Sequence, residues 1–516
     1  MLNRLFGFEV HSFLHFVGAL ILVIGLPFNK VLMSIGSIWL VANLLLEGNY
    51  KAYWELLKTN VIFVFVAVLF LFHVFGVFYS ENSMEALSDV RTKLPLLSIP
   101  LGLIAKPLEK KYIRLILGAF LSMLLLTSIL NVVSFFVTGG ELLGDLRYMS
   151  RFGSHIRYGL LISFGAAISL HYVFFEKATF KFKIIGVALF LWFSYYTLLS
   201  QVGSATLSYL AVLISSLFIH FSYLNHSWSR KIGAIGLIGV LAGLISVGFS
   251  FFGPVEHNLN KTDLDKYSLS GNVYYHDLSN SRMERGSPVF VYIVDEEVQE
   301  IWNQRSQMDF SGKDKKGHTL KNTLYRYLTS KGLRKDKEGM LELTDDDILH
   351  VENGIASFYQ RPGSSWSRLE EFRSELHSYQ AGASPDGNSV LQRLEFWNVA
   401  FELIKENWLF GVGNGDIIQE MNRYFNISNS NLSSHLWDRP HNQFISFWVA
   451  FGIFGLITFL ILCSLLFHRV VVDRNWVGFF FVLIMVMSCM TEDTLETQQG
   501  VTFVGFFIGF LPFLKT

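Results

Sequence analysis

The chain has 516 residues, of which 51% are hydrophobic, 16% aromatic and only 16% charged, and its mean hydropathy is +0.38. A soluble enzyme of this length is not built that way, so the composition points to the membrane class. Lysine plus arginine and aspartate plus glutamate balance at 42 each, so no global field recruits nucleic acid, and any electrostatic function must come from local clusters. Cys463 and Cys489, the two cysteines, both sit in apolar runs, which excludes a disulfide framework and the usual zinc spacings.

The first apolar run, from Val10 to Leu26, is followed by no small-residue cleavage site and is expected to stay as a first span. Further runs long enough to cross a hydrocarbon core of about 30 Å recur at 31–47, 61–79, 113–137, 157–175, 182–200, 204–224, 231–252 and 441–467. Residues 94–105 form a shorter run carrying Pro95 and Pro100, which predicts a broken or partly re-entrant span. A last pair, 476–490 and 500–514, is separated by the polar stretch Thr491 to Gln499. Together these predict an all-α polytopic membrane protein of about twelve transmembrane helices.

Basic residues in short loops collect on the cytoplasmic side of a membrane. With the N-terminus inside, that side holds Arg4, Lys51, Lys58, Lys106, Lys110, Lys111, Arg114, Lys177, Lys181, Lys183, Arg230, Lys231, Arg469, Arg474 and Lys515. The opposite short loops hold Lys30, Arg91, Lys93, Arg147 and Arg151, alongside Glu81, Glu85, Asp89, Glu492, Asp493 and Glu496. This pattern predicts three parts: a transmembrane bundle of about nine spans over 1–252, an outward-facing loop subdomain over 253–440, and transmembrane helices over 441–516. The loop has soluble composition, as in Asp309 to Gly317 and the acidic run Asp345, Asp346, Asp347. A structureless loop of this length is unusual, so a mostly helical subdomain is expected, with some strand at Pro288 to Val294. Leu391, Leu394, Trp397, Phe401 and Ile404 recur at helical spacing and predict an amphipathic helix over 390–408 lying on the membrane rim.

Arg439-Pro440-His441-Asn442-Gln443-Phe444 stands where the loop enters the span that ends near Phe467. A histidine there titrates near neutral pH and can take a proton from an attacking hydroxyl, although a boundary histidine is more often simply hydrogen-bonded. The turn Gly411-Val412-Gly413-Asn414-Gly415-Asp416 could offer backbone N–H groups to phosphate, but a tight helix-ending turn is the favoured reading. Arg393, within Gln392-Arg393-Leu394-Glu395-Phe396-Trp397, could pair with phosphate or snorkel. Arg151, His155 and Arg157 lie at the mouth of another span, where a lipid phosphate and plain interfacial anchoring are equally good partners. Glu492, Asp493 and Glu496 could orient a histidine or an arginine, or be merely solvated.

Taken in order, "QRLEFWNVAFELIKENWLFGVGNGD", "RPHNQFISFWVAFGIFGL" and "MTEDTLETQQGVTFVGFFIGF", covering mainly 390–514, with "HIRYGLLIS" at 155–163 as a weaker anchor, resemble the O-antigen ligase and polymerase family. The resemblance implies about twelve spans with one long periplasmic loop in a bacterial inner membrane. It also implies transfer of an undecaprenyl-diphosphate-linked glycan to an acceptor hydroxyl, with no metal or other cofactor and with inversion at the sugar carbon. His441 would then activate the acceptor, Arg393 would bind the diphosphate, and Asn442, Arg439, His155 and Glu492 would support them. Where members often carry an arginine, this chain has Gln201, so Arg157 is expected to supply the second diphosphate contact. The acceptor could be a lipid A core, as for a ligase, a growing polymer, or a protein hydroxyl; membrane lipids surround all three. A glycan flippase without chemistry is the rival from another class, set back by nearly charge-free long spans. Arg326 and Arg334 serve as loop arginines expected to be neutral on replacement.

Overall fold

The computed structural model describes residues 8–137, 149–174, 179–223, 264–284, 286–359, 365–386 and 388–513. They form two compact units. Helices α1 (Phe8–Phe28), α2 (Lys30–Glu47), α3 (Tyr50–Thr59), α4 (Val61–Tyr79), α5 (Ser83–Ala105), α6 (Lys110–Val137), α7 (His155–Phe174), α8 (Phe180–Ser200) and α9 (Gly203–Tyr223) open the first unit. Strands β1 (Met283–Glu284) and β2 (Ser287–Pro288) and helices α10 (Asp295–Arg305), α11 (Leu320–Ser330), α12 (Lys337–Leu341), α13 (Asp345–Glu352) and α14 (Ser365–Gln380) belong to the second. The division falls inside α15 (Ser389–Asn407), between Glu395 and Phe396. The first unit then continues with α16 (Ile417–Ile427), α17 (Gln443–Val472), α18 (Trp476–Thr491) and α19 (Gln498–Phe510), while residues 427–437 count with the second.

The chain is thus mostly helical, and among the described residues eight helices, α1, α2, α4, α6, α7, α8, α9 and α17, are long and apolar enough to cross a membrane. Helices α18 and α19 are apolar but shorter. The run expected at 231–252 lies outside the described residues. Helix α7 is the most enclosed of the eight. Small residues let it approach its neighbours, since a Cβ on Gly159 would meet Ala205 of α9 at 2.6 Å and one on Gly165 would meet Leu124 of α6 at 2.5 Å. Around its Phe164 stand Phe507 at 4.6 Å, Phe503 at 5.8 Å and Phe481 at 6.1 Å between centroids, edge to face, which gives the bundle an aromatic centre.

One expectation needs correcting. The run 94–105 is not broken: α5 is a continuous helix of 23 residues that contains both Pro95 and Pro100 and begins with the polar stretch assigned above to a loop. Two features explain this. A helix that contains proline in apolar surroundings needs protein packed against it, and here α19 lies so close that a Cβ on Gly505 would come within 2.8 Å of the Pro95 carbonyl. The polar start is held from outside the helix, because Asp416 accepts the backbone N–H of Glu81 and of Asn82, each at 2.8 Å. Asp89 and Lys93 are therefore buried helix residues that neutralise each other at 2.7 Å. Lys106, just past the other end of α5, is likewise buried against Glu47 at 2.6 Å. Within α5 the charged residues are thus confined to its first half, and Leu94 to Ala105 carries none.

Helix α17 breaks at Gly452, whose backbone (φ +62°, ψ −160°) is not helical. The groups released by the break are met by the glycine turn after α15: Val412 N–H donates to Val449 O at 2.8 Å, Gly413 N–H to Ala450 O at 2.9 Å, and Ile453 N–H to Trp408 O at 2.8 Å. The turn is therefore a seat for a broken helix, not a phosphate cradle. Its crowding requires glycine, since a Cβ on Gly413 (φ +94°) would stand 2.3 Å from Ser80 Oγ.

In the second unit Trp302, Leu324, Tyr325, Leu328, Met340 and Val351 form the middle of a compact core. The strand expected at 288–294 is reduced to the two-residue ladder of β1 with β2 and a bridge from Ile293 to Tyr275. The acidic run 345–347 is a helix start: Thr344 Oγ1 accepts from Asp347 N–H and Asp347 returns the bond to Thr344 N–H, while all three acids sit in the first turn of α13. Arg326 and Arg334 prove unsuitable as neutral replacements. Arg326 neutralises the buried Glu284 at 3.0 Å, and Arg334 lies over the Tyr292 ring at 4.3 Å. Arg423, exposed and paired only with Glu420 of its own helix, is the better control.

Gly452→Ala would force a Cβ to within 2.1 Å of Leu409 O at a positive φ. It is expected to destabilise the purified protein by roughly 2–4 kcal/mol, read as an earlier thermal unfolding midpoint in detergent. An unchanged midpoint would show that the turn does not hold the broken helix.

Candidate functional site

Asp438 to Asn442 leads into α17 and is held by the segment between α18 and α19, residues 492–497. Asn442 caps α17, accepting from Phe444 N–H at 3.1 Å and Ile445 N–H at 3.3 Å, while its amide donates to Met490 O at 3.0 Å. Asp493 is buried, and its two oxygens accept from the backbone N–H of His441 at 3.0 Å and from Ser446 Oγ at 2.6 Å. Trp397 of α15 donates to Pro440 O at 2.8 Å, and Phe396 lies 5.5 Å from the His441 ring. Held at these points, His441 adopts φ +49°, a left-handed backbone uncommon for a residue with a Cβ. Strain of this kind persists only where surrounding contacts over-determine it, and it clusters at functional residues.

The imidazole is half-buried among carboxylates. Nε2 lies 3.3 Å from Asp438 Oδ2 and Nδ1 lies 3.5 Å from Glu492 Oε2. The second contact has ion-pair distance without hydrogen-bond geometry. Burial works against the charged ring, but Asp438, Glu492 and Asp493 outweigh it and raise the His441 pKa to about 9. Conversely, burial and the nearby Glu496 push the Asp493 carboxyl up. A pKa raised in this way favours the imidazolium at neutral pH.

Arg157, in the first turn of α7, donates through Nη2 to the Asp493 carbonyl at 2.9 Å and places Nη1 3.6 Å from the same Glu492 oxygen that faces His441. Arg439 donates through Nη1 to Glu496 Oε2 at 2.7 Å. That oxygen also receives Lys93 at 2.8 Å, and Gln443 donates to Oε1 at 3.0 Å. Five of the residues singled out from sequence, His441, Asn442, Arg439, Arg157 and Glu492, therefore come together. His155 opens α7 and is half-buried. Arg393 belongs to the second unit, where Nη1 donates to Ser389 O at 3.1 Å one turn back in α15. Gln201, at φ +51°, ends α8 as an exposed left-handed cap.

Sequence reasoning missed Asp438 and Lys93 as parts of this site. Asp438 could have been found, because an acid close before a candidate histidine is a natural orienting partner. Lys93 could not, because its place depends on extending α5 beyond its apolar run.

A strained histidine caged by carboxylates, with Arg157 and Arg439 beside the same acids, thus stands at the start of a broken apolar helix in a mostly helical, multi-pass chain. Residues 353–460 match the family model described as O-antigen ligase, the family that the sequence motifs resemble. The matched segment contains Arg393, the glycine turn, Arg439, His441 and Asn442, and excludes Arg157, Lys93 and residues 492–496. No curated protein matches the chain.

His441 should titrate near 9 in the purified protein, followed by NMR of 13C-labelled histidine and assigned by loss of the signal in His441→Gln. Because the folded pKa is raised above the ordinary 6.5, the charged ring adds stability in full below about 6.5 and loses it as pH rises through about 9. Glu492→Gln is expected to bring the titration down toward 6.5. A wild-type midpoint already near 6.5 would contradict the carboxylate cage.

Proposed function

We propose that the protein transfers an undecaprenyl-diphosphate-linked glycan to an acceptor hydroxyl at the periplasmic face of a bacterial inner membrane, acting as an O-antigen ligase with a lipid A core as acceptor. The reading includes twelve spans, an outward loop between them, inversion at the sugar carbon and no metal. The observation that carries it is His441: a histidine fixed by its own backbone, beside carboxylates that strengthen it as a base, inside the segment that matches the O-antigen ligase model.

The acceptor hydroxyl would approach His441 once its ring is neutral and give up its proton as the oxygen attacks the anomeric carbon. The bond from that carbon to the diphosphate then breaks, and the departing oxygens gather charge that guanidinium groups in a poorly hydrated site can stabilise. Arg393 and Arg157 take that role in this scheme. For Arg157 it means leaving Glu492, a contact of 3.6 Å with no hydrogen bond and hence readily exchanged.

His441→Ala should keep the membrane level of the protein and reduce transfer by about 10² to 10⁴, the range for a lost general base. Because the base is mostly charged at rest, the wild-type rate should keep rising with pH until about 9. A rate that is flat above pH 7, or an alanine variant at full activity, would remove His441 from the chemistry. Arg157→Ala and Arg393→Ala are each expected to lower transfer by a few kcal/mol of transition-state stabilisation, with lysine restoring only part for want of a planar fork. Arg423→Ala should match wild type. If both arginine variants transferred at the wild-type rate, the clamp would be wrong.

A further inference from the structure

We infer that Arg439 is a donor-diphosphate ligand in its own right, and that the buried Lys93, acting through Glu496, is the positioning residue that keeps its guanidinium available beside His441. The inference rests on the reading of a lipid-diphosphate donor and adds a contact that neither the sequence motifs nor the family match assigns.

Arg157 and Arg439, the two arginines that share the carboxylates around His441, differ in how they are engaged. In Arg157, Nη2 is committed to the Asp493 carbonyl, Nη1 faces Glu492, and Nε is buried with no partner among the described residues. Arg439 uses only Nη1, on Glu496, so that Nε and Nη2 make no hydrogen bond among the described residues. A guanidinium anchored on one arm with the others unengaged is suited to receiving two oxygens of a diphosphate. Arg439 is also tied by the chain to Pro440 and His441, so an anion held there lies near the base.

Lys93 accounts for the one-armed grip. Its side chain is fully buried, and its ammonium bridges Asp89 Oδ1 at 2.7 Å and Glu496 Oε2 at 2.8 Å. Asp89 is balanced from its other side by His73 Nδ1 at 2.6 Å and Asn414 at 2.8 Å. Glu496 thus has a lysine and a glutamine to satisfy it besides the arginine. Without Lys93, the buried carboxylate would have Arg439 as its one remaining cation among the described residues and take up more of its donors. Lys93 keeps Glu496 from closing the guanidinium fork, while Glu496 keeps the fork from swinging away.

The test uses the full-length protein in detergent, with inorganic diphosphate as probe, titrated calorimetrically, and with donor KM and kcat measured separately. Arg439→Lys preserves the charge opposite Glu496 but loses the fork, and should weaken diphosphate binding and raise donor KM about tenfold at unchanged protein level. Lys93→Met should do the same. Because that variant leaves Glu496 short of a cation, Lys93→Met combined with Glu496→Gln provides a form without the unmatched charge, in which Arg439 has lost its anchor and donor KM stays high. Wild-type diphosphate affinity and KM in Arg439→Lys and in the double variant, with His441→Ala still inactive, would overturn this inference and leave the transfer reaction standing. Full activity of His441→Ala would instead overturn the transfer reading itself.

Discussion

The site depends on satisfying several carboxylates in a place with little water. Asp89, Glu492, Asp493 and Glu496 are all largely enclosed, and an isolated charge there would be costly. Each is matched by a cation or by N–H donors: Asp89 by Lys93 and His73, Glu496 by Lys93 and Arg439, Glu492 by Arg157 and His441. The consequence is geometric. Satisfying Asp493 draws the His441 backbone into a left-handed conformation, and satisfying Glu492 charges its ring. The same acids that would make His441 a strong base also keep it protonated at rest.

The broken helix serves this arrangement. Asn442 and Gln443 can address Met490, Leu495 and Glu496 because the first part of α17 is separate from the rest at Gly452. In an apolar environment such a break survives only if protein covers the exposed backbone, and the Gly411–Gly413 turn does so. The turn continues into Asn414 and Asp416, which bind Asp89 and the start of α5. A single glycine-rich segment thus seats α17 and fixes the helix that carries Lys93.

Much of this was legible in the sequence, and the failures have a common cause. Spans such as Val61–Tyr79 and Phe180–Ser200 announce themselves because lipid asks only for apolar side chains over sufficient length. The motif around His441 lies in the segment that the family model also covers. Asp89 and Lys93, however, read as loop residues, because charge normally marks the end of a membrane-crossing apolar run; their pairing at i and i+4 with outside partners is visible only in three dimensions. The break at Gly452 was hidden for a related reason: a glycine in an apolar run looks like a packing site until the turn that replaces its hydrogen bonds is known. Arg326 and Arg334 misled in the opposite direction, since soluble-looking arginines in a polar loop proved to be parts of a folded core.

The central claim is that this protein makes a glycosidic bond and does not merely move a lipid-linked glycan. The direct measurement places the purified full-length chain in proteoliposomes with a labelled undecaprenyl-diphosphate glycan and a hydroxyl acceptor, and follows bond formation, the anomeric configuration of the product and the leaflet of the donor. The account predicts a new bond with inverted configuration and stoichiometric release of undecaprenyl diphosphate. Donor that changes leaflet with no bond formed to any acceptor would contradict it.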